Sequence, residues 1–282
     1  MTRPRRLAAL YRSPSYSPNQ HRANDTAILD AAVRHLADRG WEVQRVAEPE
    51  VEQGRIPLAD LYVNMCQGPA ASERLVPIEA DGALVVNRAS SVLNCHRHRL
   101  VRHMIESHLP FPLTLIFNTG TDGGALRARL DPVFEPGTPV WVKRGDVHAE
   151  RTEDVVPVRL EEVPLAFQAF AGRGILWAAV QEHIPGPVLK FYAVAGRRFF
   201  RWYAAEAGPT GAKPPVDAER MQDLAFAAAE VLGLEVFGGD VAVPSPGQPV
   251  LIDINDWPSF APFREDAAAA IAGYIDSKVT NG

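Results

Sequence analysis

Oxygen-bearing side chains alternate with apolar residues in two short segments of the chain. Asp240 lies in the first segment, and Asp253 and Asn255 lie in the second, beyond a turn rich in proline and glycine at 244–248. A period of two and a turn of this kind predict a β-hairpin that points the three side chains to one face. Hard cations such as Mg²⁺ prefer carboxylate and carboxamide oxygens and complete their shell with phosphate oxygens. The hairpin is therefore either a Mg²⁺–nucleotide site or, on spacing alone, a sheet whose aspartates face solvent.

Cationic groups recur upstream of this hairpin. Lys143 ends the strand predicted from residue 139, and it needs an anionic partner or an exit to solvent because burying a lone ammonium is costly. Lys190 lies within the strand predicted at 189–194. The loop at 12–22 is rich in hydroxyls, amides and cations, which indicates either a substrate-binding loop or an ordinary solvated one. The basic helix predicted at 90–108 faces an anionic ligand or solvent, and its cysteine and histidines lack the i, i+4 spacing of zinc ligands.

The composition excludes several classes of protein. With 46% hydrophobic residues among 282, the chain is expected to form two or three compact lobes. Its formal net charge of -5 argues against a dedicated nucleic-acid binder, which needs a basic field. No apolar stretch approaches the ~20 residues of a membrane helix, the apolar run near the start is too short for a signal peptide, and two cysteines are too few for a disulfide framework. We therefore expect a cytoplasmic protein without nucleic-acid or membrane partners.

The order of predicted elements indicates an α/β architecture. Strands and helices alternate before residue 88, which predicts a small doubly wound α/β domain with ligand-facing loops at its strand ends. No G-x-G-x-x-G follows the first strand and no G-x-x-x-x-G-K-[S/T] occurs, so neither a dinucleotide fingerprint nor a P-loop is predicted. Further on, an alanine-rich amphipathic helix at 217–232 precedes the hairpin, and a helix at 263–279 follows it.

Taken in order, these residues resemble a known family. A lysine at a strand end, a Gln-Glu-x-Ile segment at 181–184, a second lysine in the next strand, and then Asp240 with Asp253-x-Asn255 look like the ATP-grasp fold of glutathione-synthetase-like enzymes. The resemblance covers roughly residue 85 onward. It implies an α/β fold in which two α+β subdomains sandwich ATP. The implied divisions are an N-terminal domain at 1–88 and an ATP-grasp domain at 89–282, with a lid-like subdomain at about 113–184 and a metal-site subdomain at about 185–282.

The resemblance also implies roles for individual residues. The implied contacts to ATP are Lys143, Gln181, Glu182, His183, Ile184 and Lys190. The implied Mg²⁺ ligands are Asp240, Asp253 and Asn255. The implied catalytic residues are Lys190 and Arg201. The expected substrate-binding residues are Arg12, Asn19, Arg22, Arg88 and Ser259.

Three departures from the family pattern stand out. The glycine-rich lid after the first lysine is reduced to the segment 144–148, and the residues after the Gln-Glu-x-Ile segment offer no carboxylate for the ribose hydroxyls. The arginine that ligases place late in the strand after Gly196 is not at its usual spacing, so Arg201, or alternatively Arg197 or Arg198, would have to substitute for it. Phosphate covering and ribose binding must therefore involve other groups.

Two enzymatic functions and one non-enzymatic function follow from the resemblance. A Mg-ATP-dependent ligase would join a carboxylate to an amine through an acyl phosphate, with a small anionic molecule as substrate. Lys190-Phe191-Tyr192 together with Asp253-Ile254-Asn255 is also similar to the inositol polyphosphate kinase branch of the fold, which implies a small-molecule kinase instead. A nucleotide-binding protein without catalysis is the third alternative. The ligase is the function we expect, and a homodimer is left open.

Overall fold

The computed structural model describes residues 5–16, 22–146, 151–244 and 248–281 of the chain. Within these ranges the strands form three four-stranded sheets. The divisions predicted at residues 88, 113 and 184 fall in the connections between the sheets. None of the helices in the described ranges is long and apolar enough to cross a membrane.

The N-terminal domain is built on a parallel sheet with helices on both faces. Its elements are β1 (Arg5–Tyr11), α1 (Arg22–Asp38), β2 (Trp41–Ala47), α2 (Glu48–Glu52), β3 (Leu61–Asn64), α3 (Pro69–Ala80) and β4 (Leu84–Val86). The strand order is β2-β1-β3-β4. Because side chains alternate along a strand, Leu7 and Ala9 pack with α1, whereas Ala8 and Leu10 pack with the opposite layer. Parallel strands with both faces covered give the doubly wound arrangement.

Two short helices, α4 (Ala89–Asn94) and α5 (Arg97–Glu106), lead to the second sheet. The sequence predicted one continuous helix here, and that prediction was wrong at a single point. His96 has an extended backbone, and the amide of His98 donates to the carbonyl of Gly145 at 3.1 Å. In a continuous helix that amide would bond the carbonyl four residues earlier. An acceptor from another part of the chain therefore replaces the helical one and breaks the helix.

The second sheet and its helices occupy the part of the chain for which a lid-like subdomain is predicted. Its elements are β5 (Thr114–Asn118), α6 (Gly123–Leu130), β6 (Pro139–Arg144), β7 (Val155–Arg159), α7 (Val163–Gly172) and β8 (Trp177–Glu182). The strands are antiparallel in the order β5-β8-β6-β7. Val140 and Val142 of β6 pack into a core with residues of α6 and α7. The alternate residues of β6, Trp141 and Lys143, therefore lie on the opposite face of this sheet.

The third sheet carries the predicted hairpin. Its elements are β9 (Val188–Val194), β10 (Phe199–Ala204), α8 (Ala218–Leu232), β11 (Val236–Ala242), β12 (Val250–Asp256) and α9 (Arg264–Asn281). The strands are antiparallel in the order β10-β9-β11-β12. One face packs on α8, and part of the other face joins the core of the N-terminal domain. Ile271 and Ile275 of α9 belong to that same core, together with Leu29 and Leu36 of α1.

Candidate functional site

The third sheet places four chemically active side chains on one face. Asp240 of β11 is paired with Lys190 of β9 on one side and with Asp253 of β12 on the other. Asn255 lies two residues beyond Asp253 on the same strand. Directly opposite residues and residues two apart share a face of a sheet, so these four side chains lie together. We call this group the carboxylate edge.

Cations of the chain hold both carboxylates of this edge. The Nζ of Lys190 lies 3.0 Å from Oδ1 of Asp240, and the Nη2 of Arg97 lies 2.7 Å from Oδ2 of Asp253. The charge of Asp240 raises the pKa of Lys190 above its ordinary value despite the partial burial of the lysine. Arg97 is buried and also donates from Nη1 to the carbonyl of Arg144, 2.7 Å away. Arg97 therefore links the carboxylate edge to the end of β6.

Lys143 approaches the same edge from the second sheet. Its Nζ donates to the carbonyl of Ile252 at 3.3 Å, and the residue is only 6% exposed. Burial lowers the pKa of Lys143 to about 8, although the charges of Asp253 and Asp240 partly oppose this effect. A desolvated ammonium gains strongly from an added anion. The arrangement can therefore bind phosphate oxygens between the two sheets.

The Gln-Glu-x-Ile segment connects the second and third sheets. Gln181 is buried and donates from Nε2 to Oγ1 of Thr114 at 3.1 Å. Glu182 ends β8, and its amide donates to the carbonyl of Leu113 at 2.8 Å. His183 is exposed, whereas Ile184 is half-buried. These contacts order the segment, and its contact with a nucleotide stays a prediction.

The substrate-binding residues predicted from the sequence fall in different places. The side chain of Arg12 is 8% exposed, and its Nη1 lies 3.1 Å from Oδ2 of Asp25. Ser259 lines the same cavity as Arg12. Arg88 lies apart from them, in a separate hollow lined also by Lys278. Asn19 lies outside the described residues, and so does the side chain of Arg22.

Arg201, the predicted catalytic arginine, lies on β10 and is exposed. It is paired with Tyr192, so it belongs to the same face of the sheet as the carboxylate edge. Its Nη1 donates to the carbonyl of Phe200 at 3.0 Å, and its guanidinium lies 5.4 Å from the ring centre of Phe199. Arg201 is not among the residues that line the cavity described next.

A cavity of about 410 Å³ lies between the N-terminal domain and the carboxylate edge. Among the described side chains that line it are three cations and three carboxylates, namely Arg12, Arg97, Lys190, Asp25, Asp253 and Asp256. Every one of these cations is paired with a carboxylate. Amides and hydroxyls contribute the rest of its polar lining, including Gln67 and Tyr203. The described lining is therefore polar but balanced in charge.

A buried carboxylate that the sequence did not indicate supports the backbone of Gln67, which lines this cavity. Glu48 is fully buried and accepts hydrogen bonds from the amides of Ser13 at 2.6 Å, Gln67 at 2.9 Å and Gly68 at 2.6 Å. Burial raises its pKa, and these three donors oppose that effect. Gln67 in turn donates from Nε2 to Oδ1 of Asp256 at 3.2 Å. Glu48 thus ties together the loops that follow β1 and β3, and nothing in its local sequence indicated this.

The carboxylate edge fits Mg²⁺ by the chemistry of its donors. Two carboxylates and one carboxamide provide only oxygen ligands, which is the set that a hard cation shares with phosphates. The described part of the chain contains no group of three histidine, cysteine, aspartate or glutamate side chains close enough to hold a metal ion by themselves. Asn255 and an added phosphate would therefore be needed to complete such a site.

Comparison with known proteins identifies the fold. No protein-family model matches the chain. It is 25% identical to human N-acetylaspartylglutamate synthase A over 223 residues, which are 72% of this chain and 55% of that protein, so the chain spans about half the length of this curated relative.

Several solved structures align with nearly the whole chain. The D-alanine–D-alanine ligase from Bacillus anthracis, complexed with ATP, is 12% identical with a TM-score of 0.69, and 98% of each chain is covered. A RimK domain ATP-grasp protein from Sphaerobacter thermophilus is 21% identical with a TM-score of 0.65, and the alignment covers 95% of this chain and 98% of that one. These matches confirm the architecture predicted from the lysines and the hairpin: the chain has the ATP-grasp fold.

Proposed function

We propose that the chain is a Mg²⁺- and ATP-dependent ligase that joins a small carboxylate to an amine. The observation that carries this proposal is the charge balance of the 410 Å³ cavity beside the carboxylate edge. A polyphosphorylated substrate needs a surplus of cations to offset its charge. Arg12, Arg97 and Lys190 each already face a carboxylate, so the described lining offers no such surplus. A carboxylate with an amine suits a balanced lining better than a phosphorylated inositol does.

The reaction proposed has two steps. A carboxylate oxygen of the substrate attacks the γ-phosphorus of ATP, the bond from that phosphorus to the β–γ bridging oxygen breaks, and ADP leaves. The amine then attacks the acyl carbon, the phosphate departs with its oxygen, and the amine loses a proton. The acyl phosphate must be kept from water until the amine arrives.

The residues around the cleft have separate roles in this reaction. Lys143 and Lys190 contact the phosphates from the two sheets, and Arg97 adds a third cation beside Asp253. When bound, Mg²⁺ on the carboxylate edge would draw charge from the phosphoryl group in transfer. Ser259 and Arg12 belong to the wall where the carboxylate substrate is held. The backbone of residues 182–184 binds the adenine.

The names of similar proteins suggest the first substrates to test. We would incubate the chain with Mg-ATP and either N-acetyl-L-aspartate plus L-glutamate or D-alanine alone, because the relatives are named for these products. We expect ADP and inorganic phosphate in equal amounts, with both partners required. Hydroxylamine in place of the amine should trap the acyl phosphate as a hydroxamate.

Two outcomes would replace the proposal by its alternatives. Transfer of the γ-phosphate to an acid-stable and hydroxylamine-stable product, without inorganic phosphate, would establish a kinase. Tight binding of Mg-ATP with no ADP formed across a broad panel of carboxylates, amines and polyols would indicate a nucleotide-binding protein without catalysis. Asp266→Asn, an exposed change on α9, serves as the control variant in either experiment.

A further inference from the structure

Trp141 lies on the face of β6 that carries Lys143. The neighbours of Trp141 on the strand, Val140 and Val142, are buried in the core of the second sheet, so the indole points away from that core. Lys143 has the same orientation, and its Nζ reaches the carbonyl of Ile252 in the third sheet. The face that bears Trp141 therefore borders the cleft between the two sheets.

The edge of the Trp141 indole is fixed by a hydrogen bond to His183. Its Nε1–H donates to Nδ1 of His183 at 3.0 Å, and the two ring centres are 6.1 Å apart with 40° between the ring planes. His183 follows directly after β8 in the connection to the third sheet. Trp141 itself is only partly buried. An aromatic ring fixed through its N–H keeps its faces available for stacking.

The position of Trp141 separates two parts of a nucleotide site. It lies opposite Gln181 on β8, beside the segment proposed to hold the adenine, and it precedes Lys143 by two residues, or about 7 Å along a strand. From these observations we infer that Trp141 is a stacking surface for the nucleobase of ATP and that His183 is a positioning residue that orients the indole. This inference rests on the proposed function, since it requires a nucleotide in the cleft.

The experiment separates the base from the phosphates. Calorimetry would measure binding of Mg-ATP and of Mg-tripolyphosphate, which has no base, to the wild type, Trp141→Val and Trp141→Phe. Loss of base stacking should weaken Mg-ATP binding roughly 10-fold in Trp141→Val. Binding of tripolyphosphate should stay within about twofold of wild type, because base stacking makes no contribution to it. Trp141→Phe keeps an aromatic face and should lose much less.

His183 is tested through its dependence on Trp141. His183→Ala should weaken Mg-ATP binding a few-fold in the wild-type background and have no further effect in the Trp141→Val background, because its contribution acts through the indole. Trp202→Val removes a partly buried indole from β10, where it packs with the α8 side of the third sheet, and should leave both ligands unaffected.

Three results would overturn the inference. Unchanged Mg-ATP affinity in Trp141→Val would remove the stacking surface, and equal weakening of both ligands would show that the change disturbs the phosphate site. Additive effects of the two substitutions would remove the positioning role of His183. A wild-type protein that binds neither ligand would instead refute the proposed function, so the two failures are distinguishable.

Discussion

Two lysines in the two sheets that border the cleft have opposite electrostatic environments. Lys143 of the second sheet is 6% exposed and its ammonium has a carbonyl as its hydrogen-bond partner, and burial lowers its pKa to about 8. The side chain of Lys190 in the third sheet is 44% exposed and paired with Asp240, which raises its pKa. The charged form of Lys143 is therefore destabilised by burial, and a bound anion would stabilise it. The charge of Lys190 is already balanced by Asp240.

This contrast predicts that the two lysines contribute unequally to nucleotide affinity. An unrelieved ammonium gains its full interaction when phosphate arrives, whereas a paired one must first share its carboxylate. We therefore expect Lys143 to contribute more to nucleotide affinity than Lys190. The carboxylate released from Lys190 becomes available to a metal ion at the same time.

We expect the largest effect on turnover from substitutions in the carboxylate edge. Asp253→Asn keeps the shape of the side chain but removes a charged metal ligand and the partner of Arg97. We expect a loss of Mg-dependent turnover of roughly 100-fold or more, and Asn255→Ala should act in the same direction. ADP release measured against Mg²⁺ concentration checks this, with Asp266→Asn as the control. Turnover within threefold of wild type would mean that the metal is held elsewhere.

Replacing Lys143 should separate stability from binding. The pKa of about 8 implies that its charged form destabilises the folded chain by up to about 3 kcal/mol at pH 7. Lys143→Met should therefore raise the free energy of unfolding by about 1–3 kcal/mol while weakening Mg-ATP binding roughly 10-fold or more. Urea titration and calorimetry measure the two quantities. A variant that is less stable than wild type would contradict the destabilising role of the buried charge.

The same lysine predicts a pH dependence. Its pKa in the folded chain lies below its ordinary value of 10.5, so the folded state binds fewer protons than the unfolded state between about pH 8 and 10.5. The stability of the wild type relative to Lys143→Met should therefore rise with pH across this window. Mg-ATP binding above pH 8 should also take up protons, since phosphate favours the charged ammonium. Calorimetry in buffers of different ionisation enthalpy measures this uptake, which should be absent in the variant.

Lys190→Met should weaken Mg-ATP binding only about three- to fivefold, because a half-exposed charge that is already paired contributes little net free energy. Lys213→Met, at an exposed lysine above Trp202, is the matched control. If Lys190→Met weakened binding more than Lys143→Met did, the contrast between the two sheets would be reversed.

Arg201→Ala should have the smallest effect, a change in kcat of less than about twofold, because its guanidinium is exposed and occupied with its own strand. A much larger fall in kcat than in substrate affinity would restore the catalytic role that the sequence predicted for it. Steady-state kinetics with the substrate pair that gives turnover is the measurement.

The fold was predictable from sequence because its signals are local. Alternation around Asp240 and Asp253 indicates paired strands, and the order of the two lysines around the Gln-Glu-x-Ile segment is specific enough to name the fold. The match to ATP-grasp structures confirms that inference. Roles assigned to single residues within this fold remain predictions.

The parts of the site that sequence did not predict depend on distant contacts. Arg97 and Asp253 are 156 residues apart, and the helix that carries Arg97 begins beside a break at which the amide of His98 bonds the equally distant carbonyl of Gly145. Arg12 looked like a free cation of a polar loop, yet it is engaged by Asp25 and by the carbonyl of Trp257. A local sequence pattern shows which charged side chains a segment carries, but it does not show which distant residue each of them contacts.

The packing of α9 on α1 has a consequence for biosynthesis. Leu29 and Leu36 of the first domain share their core with Ile271 and Ile275, so that core is incomplete until residues 264–281 have been translated. A domain usually folds as a unit once its own residues have left the ribosome. Here we expect the N-terminal domain to keep part of its apolar surface exposed until both later sheets and α9 have emerged. We expect this nascent form to bind chaperones that cover apolar surface.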